Sequence, residues 1–344
     1  MKQQTPRELG YRMPAEWHPH AATWLTWPKD PLTWPERVPE VEEIYIALMA
    51  ALTPHEQVCL LVDDEEMESS VRARCRFPGA ENVRFVRLKT VDSWIRDYGP
   101  NFLVRGPGEL AYNDWIFNAW GNKYEELRKD DHVPERLEDI LRVPRFAPGI
   151  VLEGGAIEVN GAGVVMTTEQ CLLNRNRNPH LSRAEIEQCL RDYLNVEKVL
   201  WLGEGIVGDD TDGHIDDIAR FTSPTTVVCA VEDDPADANH ELLRDNFRRL
   251  QLATDAHGRP YEVVPLPMPG VVGGHEERLP ASYANFLVAN NVVLVPVFGH
   301  PHDAHALDTL QRLFPGRRVV PINAEPLVWG MGTIHCLSQQ QPQA

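Results

Sequence analysis

Apolar residues recur with the period of an α-helix in five stretches of the chain, and each stretch is followed by a short apolar run typical of a strand. Ser182 and Glu185 stand at capping-box spacing where the third stretch begins, and Pro235 precedes the fourth. The pattern predicts helices over 39–52, 64–75, 181–194, 236–253 and 302–314. The strands after them are predicted to begin near Val58, Val83, Val199, Tyr261 and Arg317.

Four further segments are rich in β-branched and aromatic residues between Gly, Pro and Asn, which is typical of strands. They span 109–118, 156–168, 218–231 and 286–298. A doubly wound sheet has one strand per helix and a glycine-rich turn after its first strand, but here each helix has several strands and that turn is missing. We therefore predict an α/β fold of five strand-rich, pseudo-repeated units, without a linker, as a single domain over residues 1–344.

Composition and charge narrow the class of protein. Of the 344 residues, 43% are hydrophobic, which suits a globular core and is too many for a disordered chain. Lys and Arg number 33 against 51 Asp and Glu, so the formal net charge of -18 disfavours nucleic acid and anionic membranes and favours small cationic ligands. No stretch resembles a signal peptide or reaches the length of a membrane span, so we expect a cytoplasmic protein.

Cysteine and histidine spacings predict neither a disulfide scaffold nor a metal site. The six cysteines are scattered, without a CxxC pair. No cysteine or carboxylate spacing completes a zinc motif around His300, His302 and His305. The acidic run 209–217 lacks the glycine and the terminal glutamate of a calcium loop at the required positions. We expect no metal.

Four polar clusters set ionisable residues beside Gly, Pro or aromatic residues at the ends of apolar runs, where loops present side chains to a pocket. The clusters span 92–100, 153–155, 212–216 and 330–336. Cys336 is a candidate nucleophile if a base or a positive neighbour lowers the pKa of its thiol from about 8.5. The alternative for an isolated cysteine is a buried structural thiol.

His214 and Asp216 alternate along the chain, so in an extended segment both side chains point to the same side. Histidine is the usual acid and base near neutral pH, although a turn-capping histidine in a solvated acidic loop is the alternative. Asp97 and Asp216 suit a planar guanidinium, whose five N–H donors two carboxylates can share, with Glu153 in reserve. Alternatively, Arg96 merely neutralises Asp97, and Glu153 begins a plain turn.

In this order, the clusters resemble the agmatine deiminase and bacterial-type peptidylarginine deiminase family. The resemblance runs from residue 13 to residue 340, which makes it far more specific than a lone motif. The segments that carry it are 13–17, 24–28, 94–100, 153–155, 174–179, 211–216, 282–286 and 334–340.

This resemblance implies the pentein fold, a five-bladed α/β propeller of pseudo-repeated ββαβ units around a central active site. At the matching positions it implies Cys336 as the nucleophile and His214 as the general acid and base. Asp97 and Asp216 are implied as the carboxylates that bind the guanidinium, and Glu153 as support for His214 or the substrate.

The resemblance also implies hydrolysis of agmatine to N-carbamoylputrescine and ammonia, a step of putrescine and polyamine biosynthesis that needs no cofactor. Trp94 and Arg96 belong to the same motif as Asp97 and are expected to bind the substrate. Met331 and Thr333 stand where agmatine deiminases commonly have glycine and asparagine. Deimination of free or peptidyl arginine therefore stays open.

Three other functions also stay open. An amidinotransferase would use Cys336 and His214 but pass the amidino carbon to an amine. A silent guanidinium-binding protein would tolerate substitution of Cys336. An amide-cleaving cysteine hydrolase would leave the flanking carboxylates unexplained, because a neutral amide needs an oxyanion hole. The sequence does not decide between a monomer and a homo-oligomer.

Overall fold

The computed structural model describes residues 4–273 and 278–344. Its strands are β1 His20–Thr26, β2 Gln57–Val62, β3 Val83–Arg87, β4 Asn101–Val104, β5 Leu110–Asn113, β6 Arg145–Phe146, β7 Glu158–Val159, β8 Val164–Thr168, β9 Lys198–Leu202, β10 Ala219–Ser223, β11 Thr226–Val231, β12 Glu262–Pro267, β13 Leu287–Val288, β14 Val292–Val297, β15 Arg318–Asn323 and β16 Ser338–Pro342.

The α-helices between these strands are α1 Val38–Leu52, α2 Glu65–Arg74, α3 Ile95–Tyr98, α4 Ala119–Asn122, α5 Val133–Leu141, α6 Glu169–Leu172, α7 Arg183–Leu194, α8 Asn239–Leu252, α9 Asp303–Leu313 and α10 Glu325–Val328. Short 3-10 helices span Ala80–Asn82, Glu125–His132, Gly154–Ala156 and Ile215–Asp217. In the described residues, no helix is both long and apolar enough to cross a membrane.

The strands form five sheets, and four of them repeat one ββαβ plan: two antiparallel strands, a helix, and a third strand parallel to the second. In the sheet of β10, β11 and β12, Ala219 pairs with Cys229 across the antiparallel strands, and Val227 pairs with Val263 across the parallel strands. A parallel partner needs a crossover connection, which α8 provides. This plan confirms the predicted α/β fold of five blades.

The first sheet closes the ring by joining the two ends of the chain. Its order is β16-β1-β2-β3, and β16 runs antiparallel to β1 with Leu25 opposite Ser338 and Trp24 opposite Gln339. The first blade is therefore completed by a strand from the C-terminal end of the chain. Because Cys336 lies two residues before β16, this pairing also fixes the segment that carries it.

All five predicted helices are present within three residues of their predicted bounds, and the predicted strand starts after them lie within one residue. The capping box of Ser182 and Glu185 is formed. However, α1 and α2 both belong to the first sheet, so the five helix-and-strand units did not mark five blades. The helix of the second blade, α5, was missed because β6 after it has only two residues and leaves no apolar run.

Three of the four predicted β-like segments, 156–168, 218–231 and 286–298, contain a pair of antiparallel strands. The fourth, 109–118, contains β5 alone within its bounds. The prediction that residues 1–344 form a single domain stays a prediction.

A buried group of charged residues joins the blades near the centre. Arg220 on β10 is fully buried, donates to Glu158 on β7 at 3.0 Å and also contacts Glu16 from the N-terminal segment. The same guanidinium donates to the carbonyl oxygens of Ala284 at 3.1 Å and Phe286 at 2.7 Å. A buried charge without partners costs several kcal/mol, so this set of contacts holds three blades in one arrangement.

Candidate active site

Cys336 lies on the floor of a cavity of about 810 Å³, and only 6% of the residue is exposed. Its Sγ lies 3.1 Å from Asn285 Nδ2 and 3.7 Å from Asp216 Oδ2. Asn285 Oδ1 accepts from the backbone N–H of His335 at 2.9 Å, which orients the amide so that Nδ2 points at the sulfur. The predicted nucleophile therefore has an N–H donor on one side and a carboxylate on the other.

The Cys336 thiol is held in its neutral form. Burial raises the pKa of the thiol well above its usual range, and the negative charges of Asp216, Asp217 and Asp97 raise it further. A positive charge placed among these carboxylates would reverse the second effect. The site therefore favours a thiolate only when a cation is present.

Asp97 projects from α3, a helix of one turn at residues Ile95–Tyr98. Its Oδ1 accepts from the backbone N–H of Gly155 and its Oδ2 from Trp120 Nε1, both at 2.9 Å. Burial raises the pKa of this carboxyl to about 6, with His214 opposing the rise. Asp97 lines the cavity, as its predicted role at the substrate requires.

The His214 ring lies between two carboxylates and is 1% exposed. Nδ1 is 3.7 Å from Asp97 Oδ1, and Nε2 is 4.0 Å from Glu153 Oε2. Burial by itself lowers the pKa of His214, but Asp97, the Cys171 thiol and Glu153 together raise it well above its usual range. The ring therefore favours the imidazolium form, which can act as an acid.

Glu153 is fully buried beside a paired arginine. Its Oε1 accepts from Arg177 Nε at 2.7 Å, and Arg177 in turn donates to Asp212 Oδ2 at 2.7 Å. This pair fixes the Glu153 carboxylate so that Oε2 faces His214. The predicted turn at 153–155 is a 3-10 helix, Gly154–Ala156, that follows Glu153.

Three of the predicted residues converge on Gly155. A Cβ atom at that glycine would lie 2.6 Å from His214 Nδ1, 2.8 Å from Asp97 Oδ1 and 3.2 Å from Asp216 Oδ2. The side chains of His214, Asp97 and Asp216 therefore surround one point, and glycine is needed there because any other residue would fill it.

Asp216 reaches this point from a 3-10 helix, Ile215–Asp217, and not from the extended segment that the alternation with His214 suggested. Its Oδ2 lies 2.7 Å from His335 Nδ1, and His335 Nε2 lies 3.0 Å from Glu16 Oε2. Burial favours a raised pKa for Asp216, but the hydrogen bond and charge of His335 outweigh it and lower the pKa. Asp216 Oδ1 has no hydrogen-bond partner among the described residues.

Trp94 and Arg96, both predicted at the substrate, take different places. Trp94 lines the cavity and packs on Trp34 with ring centroids 5.3 Å apart. Arg96 does not line the cavity: its Nε donates to the carbonyl oxygen of His335 at 3.2 Å, and a terminal nitrogen donates to Gln340 Oε1 at 2.7 Å. Arg96 therefore holds the segment that carries the nucleophile, and its predicted contact with the substrate stays a prediction.

The cavity lining is acidic, with apolar walls. Arg37 is the one cation among its lining residues, all of which are described. The lining includes six carboxyl groups, from Asp30, Asp92, Asp97, Glu125, Glu126 and Asp210. Met331, at one of the two unusual positions, also lines the cavity, whereas Thr333 donates to Asn285 Oδ1 at 2.7 Å. The cavity suits a cation with an apolar chain.

Sequence reasoning missed two residues that contact the site, Asn285 and Trp120. Asn285 lies in a segment that carries the family resemblance, but nothing near it in sequence indicated that it contacts the thiol. Trp120 gave no signal at all, because its N–H bond to Asp97 depends on the packing of a short kinked helix, α4.

Known proteins resemble this chain in sequence and in fold over nearly its whole length. The family model for Porphyromonas-type peptidyl-arginine deiminase matches residues 12–342. The agmatine deiminase of Ectopseudomonas mendocina is 40% identical over 361 residues, which cover 98% of this chain and 97% of that protein. The solved agmatine deiminase of Enterococcus faecalis has a TM-score of 0.93 at 36% identity and covers 100% of this chain and 99% of its own. An amidinotransferase from Microseira wollei, with 12% identity, a TM-score of 0.53 and 97% coverage of each chain, shares the fold alone.

Proposed function

The chain belongs to the Porphyromonas-type peptidyl-arginine deiminase family, and from this membership we propose that it is an agmatine deiminase. The reaction is hydrolysis of agmatine to N-carbamoylputrescine and ammonia, in the cytoplasm, as a step of putrescine formation. The observation that carries the proposal is the convergence of His214, Asp97 and Asp216 around Gly155, with the Cys336 thiol 3.7 Å from Asp216 and lining an acidic cavity.

Asp97 and Asp216 bind the guanidinium in this mechanism. A guanidinium offers N–H donors on several edges of one plane, and carboxylates on different edges hold it without leaving a donor unpaired. Asp216 Oδ1 is unpartnered within the described chain and is available for this task. Fixing the guanidinium carbon in front of the sulfur supplies the positioning that can lower a reaction barrier by several kcal/mol.

Substrate binding itself activates Cys336. The pKa of the thiol is raised by burial and by Asp216, Asp217 and Asp97. A guanidinium between the carboxylates offsets their charge, and Asn285 Nδ2, 3.1 Å away, donates to the sulfur as it becomes negative. The thiolate therefore forms next to the carbon that it attacks.

The chemistry has two halves. Cys336 loses its thiol proton to solvent as the guanidinium binds, Sγ bonds to the guanidinium carbon, a C–N bond breaks, and ammonia leaves with a proton from His214. The amidino carbon stays on sulfur with the aminobutyl tail attached. His214, now neutral, takes a proton from water, the oxygen bonds to the same carbon, and the C–S bond breaks to release the ureido product.

The cavity favours agmatine over arginine. Agmatine ends in an ammonium, whereas arginine adds an α-carboxylate that Glu125, Glu126 and Asp210 would repel. Arg37 does not supply a free positive charge for that carboxylate, since it lies 3.4 Å from Glu40, 3.9 Å from Glu325 and 4.8 Å from the Trp329 ring centre.

Product analysis tests the proposal. Purified protein is given agmatine, arginine and a blocked arginine peptide, and ureido product and ammonia are measured, with Cys336→Ser beside the wild type. We expect turnover of agmatine that the variant loses. Turnover of arginine alone would reassign the substrate, and a new guanidine without ureido product would identify an amidinotransferase.

A further inference from the structure

A thiol without a role in this mechanism lies beside the catalytic histidine. Cys171 is fully buried, and its Sγ, a carboxylate oxygen of Glu153 and a ring nitrogen of His214 lie within 4.8 Å of one another. Glu153 and His214 act in the reaction, but the hydrolysis needs no second sulfur. The group combines sulfur, nitrogen and oxygen donors, which is the set that zinc prefers.

We propose that Glu153, Cys171 and His214 form a binding site for a thiophilic divalent cation of the zinc class, and that its occupation reversibly stops turnover. The site adds a regulatory ligand to the proposed function and does not depend on the identity of the substrate. It shares His214 alone with the acidic run 209–217 and no residue with the histidines at 300, 302 and 305, and its members are too far apart along the chain to form a recognisable motif.

Two of the three donor residues have free ligand atoms. His214 Nε2 and Glu153 Oε2 have no hydrogen-bond partner in the described part of the chain, although the two side chains are 1% and 0% exposed. Buried polar atoms without partners are uncommon because no hydrogen bond offsets the loss of their hydration. A cation between them would satisfy both atoms at once.

The charges of the ligands suit a dication. The Cys171 thiolate and the Glu153 carboxylate together neutralise a charge of two, so the occupied site buries no net charge. The cation displaces the Cys171 thiol proton and the Nε2 proton of the His214 imidazolium, both of which leave to solvent, and no oxidation is involved. Arg177 holds the other Glu153 oxygen at 2.7 Å, as a second shell does for a ligating carboxylate.

The three ligand atoms lie within 4.8 Å of one another, so they must move closer together to bind a tetrahedral ion. Tetrahedral zinc places its ligand atoms roughly 3.4–3.6 Å apart, given bonds of about 2.0–2.3 Å. The separation of 4.0 Å between His214 Nε2 and Glu153 Oε2 is close to that spacing. Asp97, which lines the cavity, lies 3.7 Å from the other ring nitrogen of His214.

A second group, Asp216, Asp217 and Cys336, has similar spacing, but two of its carboxylate oxygens already have partners, and Asp216 Oδ1 is the atom that takes the guanidinium in the proposed function. Asp216 Oδ2 lies 2.7 Å from His335 Nδ1, and Asp217 Oδ1 accepts from Asn285 at 3.1 Å. The site with Cys171 is therefore preferred. A cation on His214 Nε2 would stop the ring from cycling between imidazole and imidazolium, and turnover needs that cycle.

Cobalt(II) is the probe for the experiment, because thiolate coordination gives a charge-transfer absorption that can be read without substrate. We expect this absorption in the wild type and in Cys336→Ala, and its loss in Cys171→Ala and Cys171→Ser. Cys229→Ala is the matched control, since Cys229 is another fully buried cysteine, and it should keep the absorption. Circular dichroism and melting confirm that each variant is folded.

Zinc should displace cobalt and inhibit turnover, and a chelator should restore turnover. The zinc concentration that halves turnover should be at least tenfold higher for Cys171→Ser than for the wild type. Absorption that is lost in Cys336→Ala but kept in Cys171→Ala would overturn the proposal, and so would absence of the absorption in the wild type. Because the absorption is read without turnover, failure of the metal site is distinguishable from failure of the proposed function.

Discussion

Replacing Asn285 with alanine should slow the chemical step and leave agmatine binding nearly unchanged. Asn285 Nδ2 lies 3.1 Å from Cys336 Sγ, while Oδ1 accepts from the His335 N–H at 2.9 Å. Because the second contact fixes which end of the amide is the donor, the sulfur receives an N–H bond that strengthens as the thiol becomes a thiolate. The variant removes this bond when negative charge reaches the sulfur.

The size of the effect follows from that bond. A hydrogen bond to a charged group contributes about 1.5–3 kcal/mol, and each tenfold in rate, or each unit of thiol pKa, corresponds to about 1.4 kcal/mol. We expect kcat for agmatine to fall about 10–100-fold while KM stays within about threefold. Ammonia release, measured across a range of pH, gives both constants, and an alkaline shift of the profile reports the raised pKa of the thiol.

Thr333→Val is the matched control. The Thr333 hydroxyl donates to Asn285 Oδ1 at 2.7 Å, so valine removes a bond of the same amide but leaves Nδ2 at Cys336. Its kcat should fall less than about threefold. The reasoning is refuted if Asn285→Ala, shown by melting to be folded, raises KM alone, or if the two variants are equally damaged.

Three further predictions concern the residues around His214. Gly155→Ala should lower kcat at least about 100-fold in a steady-state assay, because its Cβ would lie 2.6 Å from His214 Nδ1. Near-normal turnover would contradict the convergence of the site on this glycine. Since burial raises the pKa of Asp97 to about 6 and only the ionised carboxylate pairs with guanidinium, kcat/KM should fall as pH drops below about 6. Asp97→Asn should lower kcat/KM and flatten that acidic limb, and an unchanged limb would assign it to another group. Arg177→Met should lower the free energy of unfolding, measured in urea, by about 3–5 kcal/mol, because it leaves the Glu153 carboxylate buried without its arginine partner. A loss below about 1 kcal/mol would refute this role of Arg177.

Most of the site could be predicted because its residues stand in short polar clusters at the ends of apolar runs. Cys336, His214, Asp97 and Glu153 each carry ionisable chemistry that a single sequence displays. The geometric reason given for Asp216 was wrong, since residues Ile215–Asp217 form a 3-10 helix. Two polar residues that alternate with one apolar residue, as in His214–Asp216, do not distinguish a strand from a 3-10 helix.

The remaining residues depend on contacts between distant segments. Asn285 and Trp120 have no ionisable group, and they act only because the fold brings them to Cys336 and Asp97. Arg96 was placed at the substrate because it adjoins Asp97, but its guanidinium turns to Gln340 on the strand that closes the ring. No local pattern indicates a partner at the far end of the chain.

The helices and strands that were predicted are those whose apolar residues recur periodically in the sequence. Long amphipathic helices such as α8 leave a clear pattern, whereas α5 is short and is followed by a strand of two residues that leaves no apolar run. The closure of the ring by β16 and β1 joins the two ends of the chain, and sequence periodicity carries no information on such pairing.

The central claim is that Cys336 carries the amidino carbon during hydrolysis. Mass spectrometry tests it most directly. Wild-type protein is quenched with acid during turnover of agmatine and is measured both intact and after digestion to peptides. We predict an adduct on the peptide with Cys336 whose mass equals agmatine minus ammonia, so that the aminobutyl tail is retained, and no adduct in Cys336→Ser. Product formation by that variant, or an adduct that has lost the tail, would contradict the account.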